Sequence, residues 1–378
     1  MPQVVIVGGG VIGLSTAYHL ATMGVRDVVL LEKEDALAMG STGRSVGGIR
    51  HQFSTATNIR LSLGSVAKFK RFNTEVGPAD FHWVGYLFLL DNESDLNDFR
   101  RNVALQQSLG VPVRMLTPTE AREQVPQMNV DDIIGATLCT ADGFGDPSAI
   151  TLGYASAARK LGVKIETGVE LSAIRVEHGR VRGVETTRGP MDAEWIVDAA
   201  GPYSAKVARM AGVELPVVPL RRQVFVTEPF DAMAAEFPMT VDFGSSFYFR
   251  REGPGILIGM TDKQEPQSFK THWDAAWRDQ VIDQAVRRVP VLENATVARG
   301  WGGLYDTTPD ANPIIGAVPE VGNFLVATGF SGHGFMHSPM TGQIIAELIC
   351  GQPPAIDVSE LSVMRFRQGK VEAEKNVI

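Results

Sequence analysis

The first residues with chemistry in this chain are Gly8-Gly9-Gly10-Val11-Ile12-Gly13. They follow the apolar run Val4-Val5-Ile6-Val7 and precede a helical pattern, Leu14 to Met23. Strand, G-x-G-x-x-G loop and helix in this order bind the pyrophosphate of a dinucleotide. Gly8 permits the tight turn, Gly10 lets backbone approach the phosphates, and Gly13 lets helix and strand pack closely. The helix N-terminus offers free N–H groups and the positive end of its dipole. A second strand, Val28 to Leu31, ends in Glu32, nineteen residues beyond Gly13. That is where a carboxylate accepts hydrogen bonds from a ribose. A glycine turn without a ligand would share the loop but not the whole register. At this point NAD, NADP and FAD are all open.

Other reactive side chains are sparse. Arg44 and Arg50 stand in the Gly/Ser-rich stretch Gly40 to Arg50. His333 and His337 lie four apart, a spacing that suits a metal if both are helical, but no third ligand is near in sequence. We therefore expect no metal. Cys139 and Cys350 form no disulfide framework and fit a reducing, cytoplasmic setting. The opening strand begins too early for a signal peptide, and no apolar run reaches the ~18 residues of a membrane helix.

The elements that must position these groups alternate. Helical patterns cover Asn58 to Asn73, Asp95 to Leu109, Asp146 to Lys160, Trp273 to Arg288 and Phe335 to Cys350. Thr117-Pro118-Thr119-Glu120 is a capping box that starts another. Strand patterns cover Val84 to Leu90, Val163 to Glu166, a hairpin about Gly179, Trp195 to Gly201, Gln223 to Thr227, Ser246 to Arg250, Ile256 to Met260 and Asn323 to Thr328. The expected fold is α/β (α+β). A Rossmann-like domain of residues 1–82, 146–220 and 311–378 is interleaved with a second domain, 83–145 and 221–310, built on a mainly antiparallel sheet. With 378 residues, two units are expected rather than one core. A formal charge of −8 argues against general nucleic-acid binding.

Four motifs in order resemble the FAD-dependent amine oxidoreductases of the D-amino-acid oxidase superfamily, in the branch of sarcosine oxidases, glycine oxidase and proline dehydrogenase β subunits. They are Gly8 to Gly13 with Glu32, Gly40 to Arg50, Val197 to Gly201, and Thr308 to Gly316 followed by Gly329 to Phe335. The resemblance implies FAD and a small amino-acid substrate. It places Gly8, Gly10, Val11, Ile12, Gly13, Glu32, Lys33, Ser41, Thr42, Arg44, Ser45, Gly48, Val169, Ala200 and Gly201 around the nucleotide. Gly329, Ser331, Gly332, His333, Gly334, Phe335 and Met336 would lie at the flavin ring, with the following helix aimed at its pyrimidine carbonyl. Arg50 would hold the substrate carboxylate, with Tyr248 and His333 shaping the pocket.

Three departures qualify the resemblance. Gly303-Leu304-Tyr305 stands where monomeric sarcosine oxidases attach FAD through cysteine, so non-covalent FAD is expected. Leu257 replaces a lysine that assists oxygen reduction, and Met336 replaces a carboxylate-binding lysine. The expected reaction is oxidation of a secondary or N-methyl α-amino acid by hydride transfer, with oxygen as acceptor. Rival readings are a subunit passing electrons to a partner chain, a flavin-binding assembly protein without turnover, and an NAD dehydrogenase.

Overall fold

The computed structural model describes residues 4–377. Strand Val4–Val7 lies inside a six-stranded sheet, between Trp195–Asp198 and Val28–Leu31, parallel to both. Phe324–Thr328 and Ile314–Ala317 extend the sheet on one side and Lys164–Glu166 on the other. Only the Ile314–Ala317 pairing is antiparallel. Such a sheet is covered on both faces, which is why its strands are continuous apolar runs. Val4 and Ile6 pack into one core with Leu14, Leu20, Tyr154, Ala158, Ile344 and Ile345. Those residues come from helices Val11–Thr22, Pro147–Lys160 and Gly334–Ile349. Val5 and Val7 point the other way, into a core with Ile174, Val184, Ala208 and Phe324.

A second sheet has eight strands, in the order Val297–Thr307, Val218–Thr227, Gly255–Met260, Phe247–Glu252, Met239–Asp242, Tyr86–Leu90, Gly135–Cys139, Val113–Leu116. All its pairings are antiparallel except Met239–Asp242 with Tyr86–Leu90. One face, with Leu87, Leu89, Phe247 and Phe249, packs on helix Ala275–Arg288 through Val281 and Ala285. The opposite face carries Tyr86, Val224, Met239 and Tyr248. The period-two alternation of these strands therefore separates a core face from a face turned to the first sheet. A small sheet of Gly48–Ile49, Gly143–Gly145 and Phe81–His82 lies on the segments that join the two.

Most expected elements form, with shifted ends. The opening helix begins at Val11 rather than Leu14, which brings its N-terminus onto the glycine loop. The strand Val297–Thr307, the longest among the described residues, was not expected from the sequence. The capping box at Thr117 forms, with Glu120 N–H donating to Thr117 Oγ1 and Thr117 N–H to the Glu120 carboxylate. No helix among the described residues is long and apolar enough to cross a membrane.

Candidate active site

A cleft of about 460 Å³ runs between the two sheets. Gly8 turns at φ +115°, and a Cβ there would sit 2.4 Å from the Ala199 carbonyl oxygen. Only glycine fits both the conformation and the space. Gly10 is the N-cap of helix Val11–Thr22 and supplies no side-chain cap. Of the first N–H groups, that of Val11 donates to Thr42 Oγ1 at 3.2 Å. Ser41 Oγ, also lining the cleft, is buried without a partner. The helix Gly334–Ile349 likewise starts without a side-chain cap or an acid in its first turn, at His333. Four other helices are capped by Asn92, Thr117, Asp146 and Asp274, whereas Ala56–Phe69, whose N-terminus is not in the cleft, also starts without a side-chain cap. Two uncapped N-termini at one cleft provide the donors that phosphates and a developing ring anion require.

The expected nucleotide residues converge here. Gly8, Gly10, Val11, Ile12, Glu32, Lys33, Ser41, Thr42, Arg44, Ser45, Gly48, Val169, Ala200 and Gly201 all line the cleft. Glu32 Oε2 accepts from Gly9 N–H at 2.6 Å, and Oε1 accepts from Glu34 N–H at 2.9 Å. Its carboxylate is thus held at the strand end beside Val169, whose N–H donates to the Glu32 carbonyl at 2.9 Å. Arg44 directs its guanidinium to the carbonyls of Gly302 at 3.0 Å and Met39 at 3.4 Å, with no acid among the described residues. Ser45 Oγ accepts from Gly47 N–H at 3.1 Å. Lys33 lies 3.0 Å from Glu34 and over the Tyr203 ring. Gly13 and Gly329 are not in the lining. A Cβ on Gly13 would sit 2.1 Å from the Gly8 carbonyl oxygen, so Gly13 lets the loop close on its helix. Gly329 anchors the second loop through its N–H, which donates to Asp306 Oδ2 at 2.7 Å.

Ser331, Gly332, His333, Gly334, Phe335 and Met336 line the inner cleft. Asp306, which the sequence did not single out, holds their loop. Its Oδ2 accepts from Gly329 and Phe330 N–H, and its carbonyl accepts from Ser331 N–H at 2.9 Å. Tyr305, next to it, places its ring where any side chain on Gly332 would stand.

Arg50 is the focus of the inner cleft. It is 1% exposed, and among the described residues its guanidinium meets carbonyls and an imidazole rather than a carboxylate. Nη1 donates to the Gln52 carbonyl. Nη2 donates to the Asn376 carbonyl at 2.5 Å and to His333 Nε2 at 3.2 Å. Its guanidinium stacks 4.0 Å from the Phe53 ring. Burial holds its pKa below the usual arginine value. Because His333 Nε2 accepts this bond, its proton is assigned to Nδ1, which is buried without a partner. Burial, then the Arg50 charge, push the His333 pKa well down, so the ring is neutral. His337 is also neutral, with Nε2 3.0 Å from Ser62 Oγ and its pKa pushed down to about 3 by burial and then Arg50. Tyr86, Tyr248 and Tyr305 line the same end, and burial raises the pKa of each hydroxyl. Tyr248 lies over Gly259, where a Cβ would meet its ring at 2.4 Å.

One cluster was invisible in sequence spacing. His51, Cys139 and Asp142 meet in the interior. Asp142 Oδ1 lies 2.5 Å from His51 Nδ1 and accepts from His51 N–H at 3.0 Å, and Oδ2 accepts from Gln52 Nε2 at 3.3 Å. Burial, then Asp142, push the Cys139 thiol far up, so it stays protonated. The cluster braces the Arg50 segment.

The buried titratable groups give a sign to the pH dependence. His19 at about 4, His337 at about 3 and His333 well down all lie below the unfolded value of about 6.5. Their stability is present above about pH 6.5 and is lost as pH falls toward 4. Asp306 at about 6 and Asp198 at about 7, both raised by burial, act oppositely across nearly all of that window. Three groups outweigh two, each at ~1.4 kcal/mol per pH unit. Melting temperature should therefore fall on acidification from pH 6.5 to 4, and His337→Asn should flatten that fall. A melting temperature that is level or rises on acidification would contradict the assignment.

The layered parallel sheet, the glycine loop and the second uncapped helix define a dinucleotide-dependent oxidoreductase. The chain belongs to the FAD dependent oxidoreductase family, whose model matches residues 3–348. The family's cofactor is FAD, and the cleft's uncapped helices and orphaned Ser41 hydroxyl fit it. Rat (Rattus norvegicus) mitochondrial dimethylglycine dehydrogenase is 30% identical over 385 residues, 96% of this chain and 45% of the relative. Mouse (Mus musculus) mitochondrial sarcosine dehydrogenase is 31% identical over 382 residues, 96% of this chain and 41% of the relative. The chain thus spans less than half the length of these two relatives. The crystal structure of L-proline dehydrogenase from P. horikoshii superposes with a TM-score of 0.92 at 32% identity, covering 98% of this chain and 99% of that one.

Proposed function

We propose that this protein oxidises a secondary or N-methyl α-amino acid, of the sarcosine or proline kind, at non-covalently bound FAD. The observation that carries the reading is Arg50, a buried cation in the cleft that holds the cofactor loops, with no carboxylate within ion-pair distance among the described residues. Glu374 and Asp142 act on it only from beyond ion-pair distance, and a substrate carboxylate would supply the direct pairing that a buried guanidinium favours. Gln52, Asn376 and His333 fix its orientation. Tyr248 and its neighbours Tyr86 and Tyr305 offer neutral hydroxyls as donors around the bound acid. Neutral His333 adds no competing positive charge.

Bound FAD supplies a two-electron acceptor for a hydride from the carbon next to nitrogen. Among the described cleft residues Asp306 is the carboxyl with a raised pKa, and it is committed to the Gly329 and Phe330 N–H groups. The amine therefore binds neutral, having left its proton in solvent. Water then hydrolyses the imine, giving glycine and formaldehyde from sarcosine.

Oxygen would reoxidise the cofactor to yield hydrogen peroxide. A second reading, electron transfer to a partner chain, is favoured by Leu257, fully buried among Val224, Val226 and Tyr248 where a lysine would assist oxygen. The dehydrogenase names of the relatives point the same way. Anaerobic mixing of the FAD-loaded protein with sarcosine, L-proline, glycine and D-alanine tests both readings. Bleaching of the flavin band by sarcosine or proline is expected, and no bleaching by any of the four would sink amine oxidation. Peroxide formed in air in step with substrate supports oxygen as acceptor; its absence despite bleaching supports a partner chain.

A further inference from the structure

Two further arginines of the cleft, Arg44 and Arg222, likewise have no acid within ion-pair distance among the described residues. Arg222 lies on strand Val218–Thr227 opposite Gly303, and it lines the cleft. Its hydrogen bond within the chain runs from Nη1 to the neighbouring Arg221 carbonyl at 3.0 Å. Its Nε is buried and has no partner. Its guanidinium stands 5.1 Å from the Tyr305 ring. The next residue shows what a structural arginine does in this sheet. Arg221, on the opposite face, donates from Nε and Nη2 to Glu265 at 3.0 and 2.9 Å. Arg250 pairs with Glu252 at 2.7 Å. The chain carries 43 acids against 35 lysines and arginines, so partners are not scarce. Even so, among the described residues neither Arg50 nor Arg222 has one within ion-pair distance. Tyr305 joins them: its ring packs where Gly332 lacks a side chain, and it feels the charge of both arginines.

We propose that Arg222 is a second anion subsite, and that the substrate is a secondary amine bearing two carboxylates, an N-carboxyalkyl α-amino acid. This rests on the reading of Arg50 as the first carboxylate clamp. One carboxylate pairs with Arg50 and the other with Arg222, with the amine between them along Tyr305. Gly303, opposite Arg222, lines the cleft without a side chain, and a Cβ there would lie 3.0 Å from Arg44 Cβ. Oxidation takes a hydride equivalent from the carbon next to nitrogen to FAD and releases the N–H proton to solvent. Water adds to the imine, and the C–N bond breaks to give an amino acid and an oxo acid; iminodiacetate would give glycine and glyoxylate.

The test uses the FAD-loaded protein and two readouts. The first is anaerobic flavin reduction by iminodiacetate against sarcosine, as kcat/KM. The second is equilibrium binding of glutarate against butyrate, followed by the flavin spectrum, which needs no turnover. Iminodiacetate and glutarate should each be preferred, and Arg222→Gln should lower both ratios ~30-fold or more. Ratios unchanged by the substitution overturn the subsite while leaving amine oxidation standing. Loss of FAD from Arg222→Gln with unchanged ratios also overturns it, assigning Arg222 to the cofactor. A glutarate preference that Arg222→Gln abolishes, with no amine bleaching the flavin, supports the subsite and overturns amine oxidation.

Discussion

Arg50→Ala should weaken binding of an amino-acid substrate by about 2–4 kcal/mol, roughly 30- to 1000-fold, while FAD remains bound. The size follows from burial. In water an exposed arginine–carboxylate pair contributes little. At 1% exposure, removing the guanidinium leaves the substrate's carboxylate desolvated and unpaired, which is the expensive case. The substitution also frees the carbonyls of Gln52 and Asn376, so some loss of stability is expected. Arg50→Lys separates the two effects. It keeps the charge and a donor but cannot form the planar fork, so affinity should stay reduced while the melting temperature recovers. Titration of the flavin spectrum with substrate measures the affinity. An affinity equal to wild type in Arg50→Ala would remove Arg50 from the site.

Gly8→Val should give protein without FAD. Two independent costs meet at this residue. A φ of +115° is open to glycine and closed to a β-branched side chain, and the Cβ would lie 2.4 Å from the Ala199 carbonyl oxygen. That oxygen belongs to backbone at the end of strand Trp195–Asp198 and cannot swing aside. The loop must move, and with it the start of helix Val11–Thr22. We expect a fall in FAD affinity of ~100-fold or more and a stability loss on the order of 3 kcal/mol. Flavin absorbance per protein and a thermal melt check both. In wild type, acid precipitation should release all the yellow colour to the supernatant, since the bond to FAD is expected to be non-covalent. Colour retained in the pellet would contradict that attachment, and full flavin content in Gly8→Val would contradict the role of the loop.

The parts of the fold legible in sequence were those with a local cause. Val4 to Gly13 combines a buried-strand run with glycines whose spacing has one use. The Thr117 capping box and the Asp146-Pro147 helix start carry their own caps. The strand Val297–Thr307 was not legible because glycine weakens strand propensity, and it holds Gly300, Gly302 and Gly303. Those glycines are there for tertiary reasons. Side chains on them would meet the Phe225 ring at 2.5 Å, the Thr271 carbonyl oxygen at 2.9 Å and Arg44 at 3.0 Å. The site shows the same division. Arg50 and His333 stood out as reactive types in unusual loops. Asp306, Asn376 and Arg222 did not, because nothing near them in sequence reveals that they face Gly329, Arg50 and Tyr305. The domain division at 82, 145, 220 and 310 stays a proposal. In its support, the first sheet draws on residues 4–31, 164–198 and 314–328, and the second on 86–139 and 218–307.

An amino-acid carboxylate should seat on Arg50 beside the cofactor. A crystal structure of the FAD-loaded protein with tetrahydrofuran-2-carboxylate, the ring-oxygen counterpart of proline, tests it without turnover. The carboxylate should lie within hydrogen-bond distance of Arg50, with a tyrosine hydroxyl of the inner cleft donating to the bound ligand. A carboxylate bound elsewhere in the cleft, with Arg50 still held by Gln52, Asn376 and His333 alone, would contradict it.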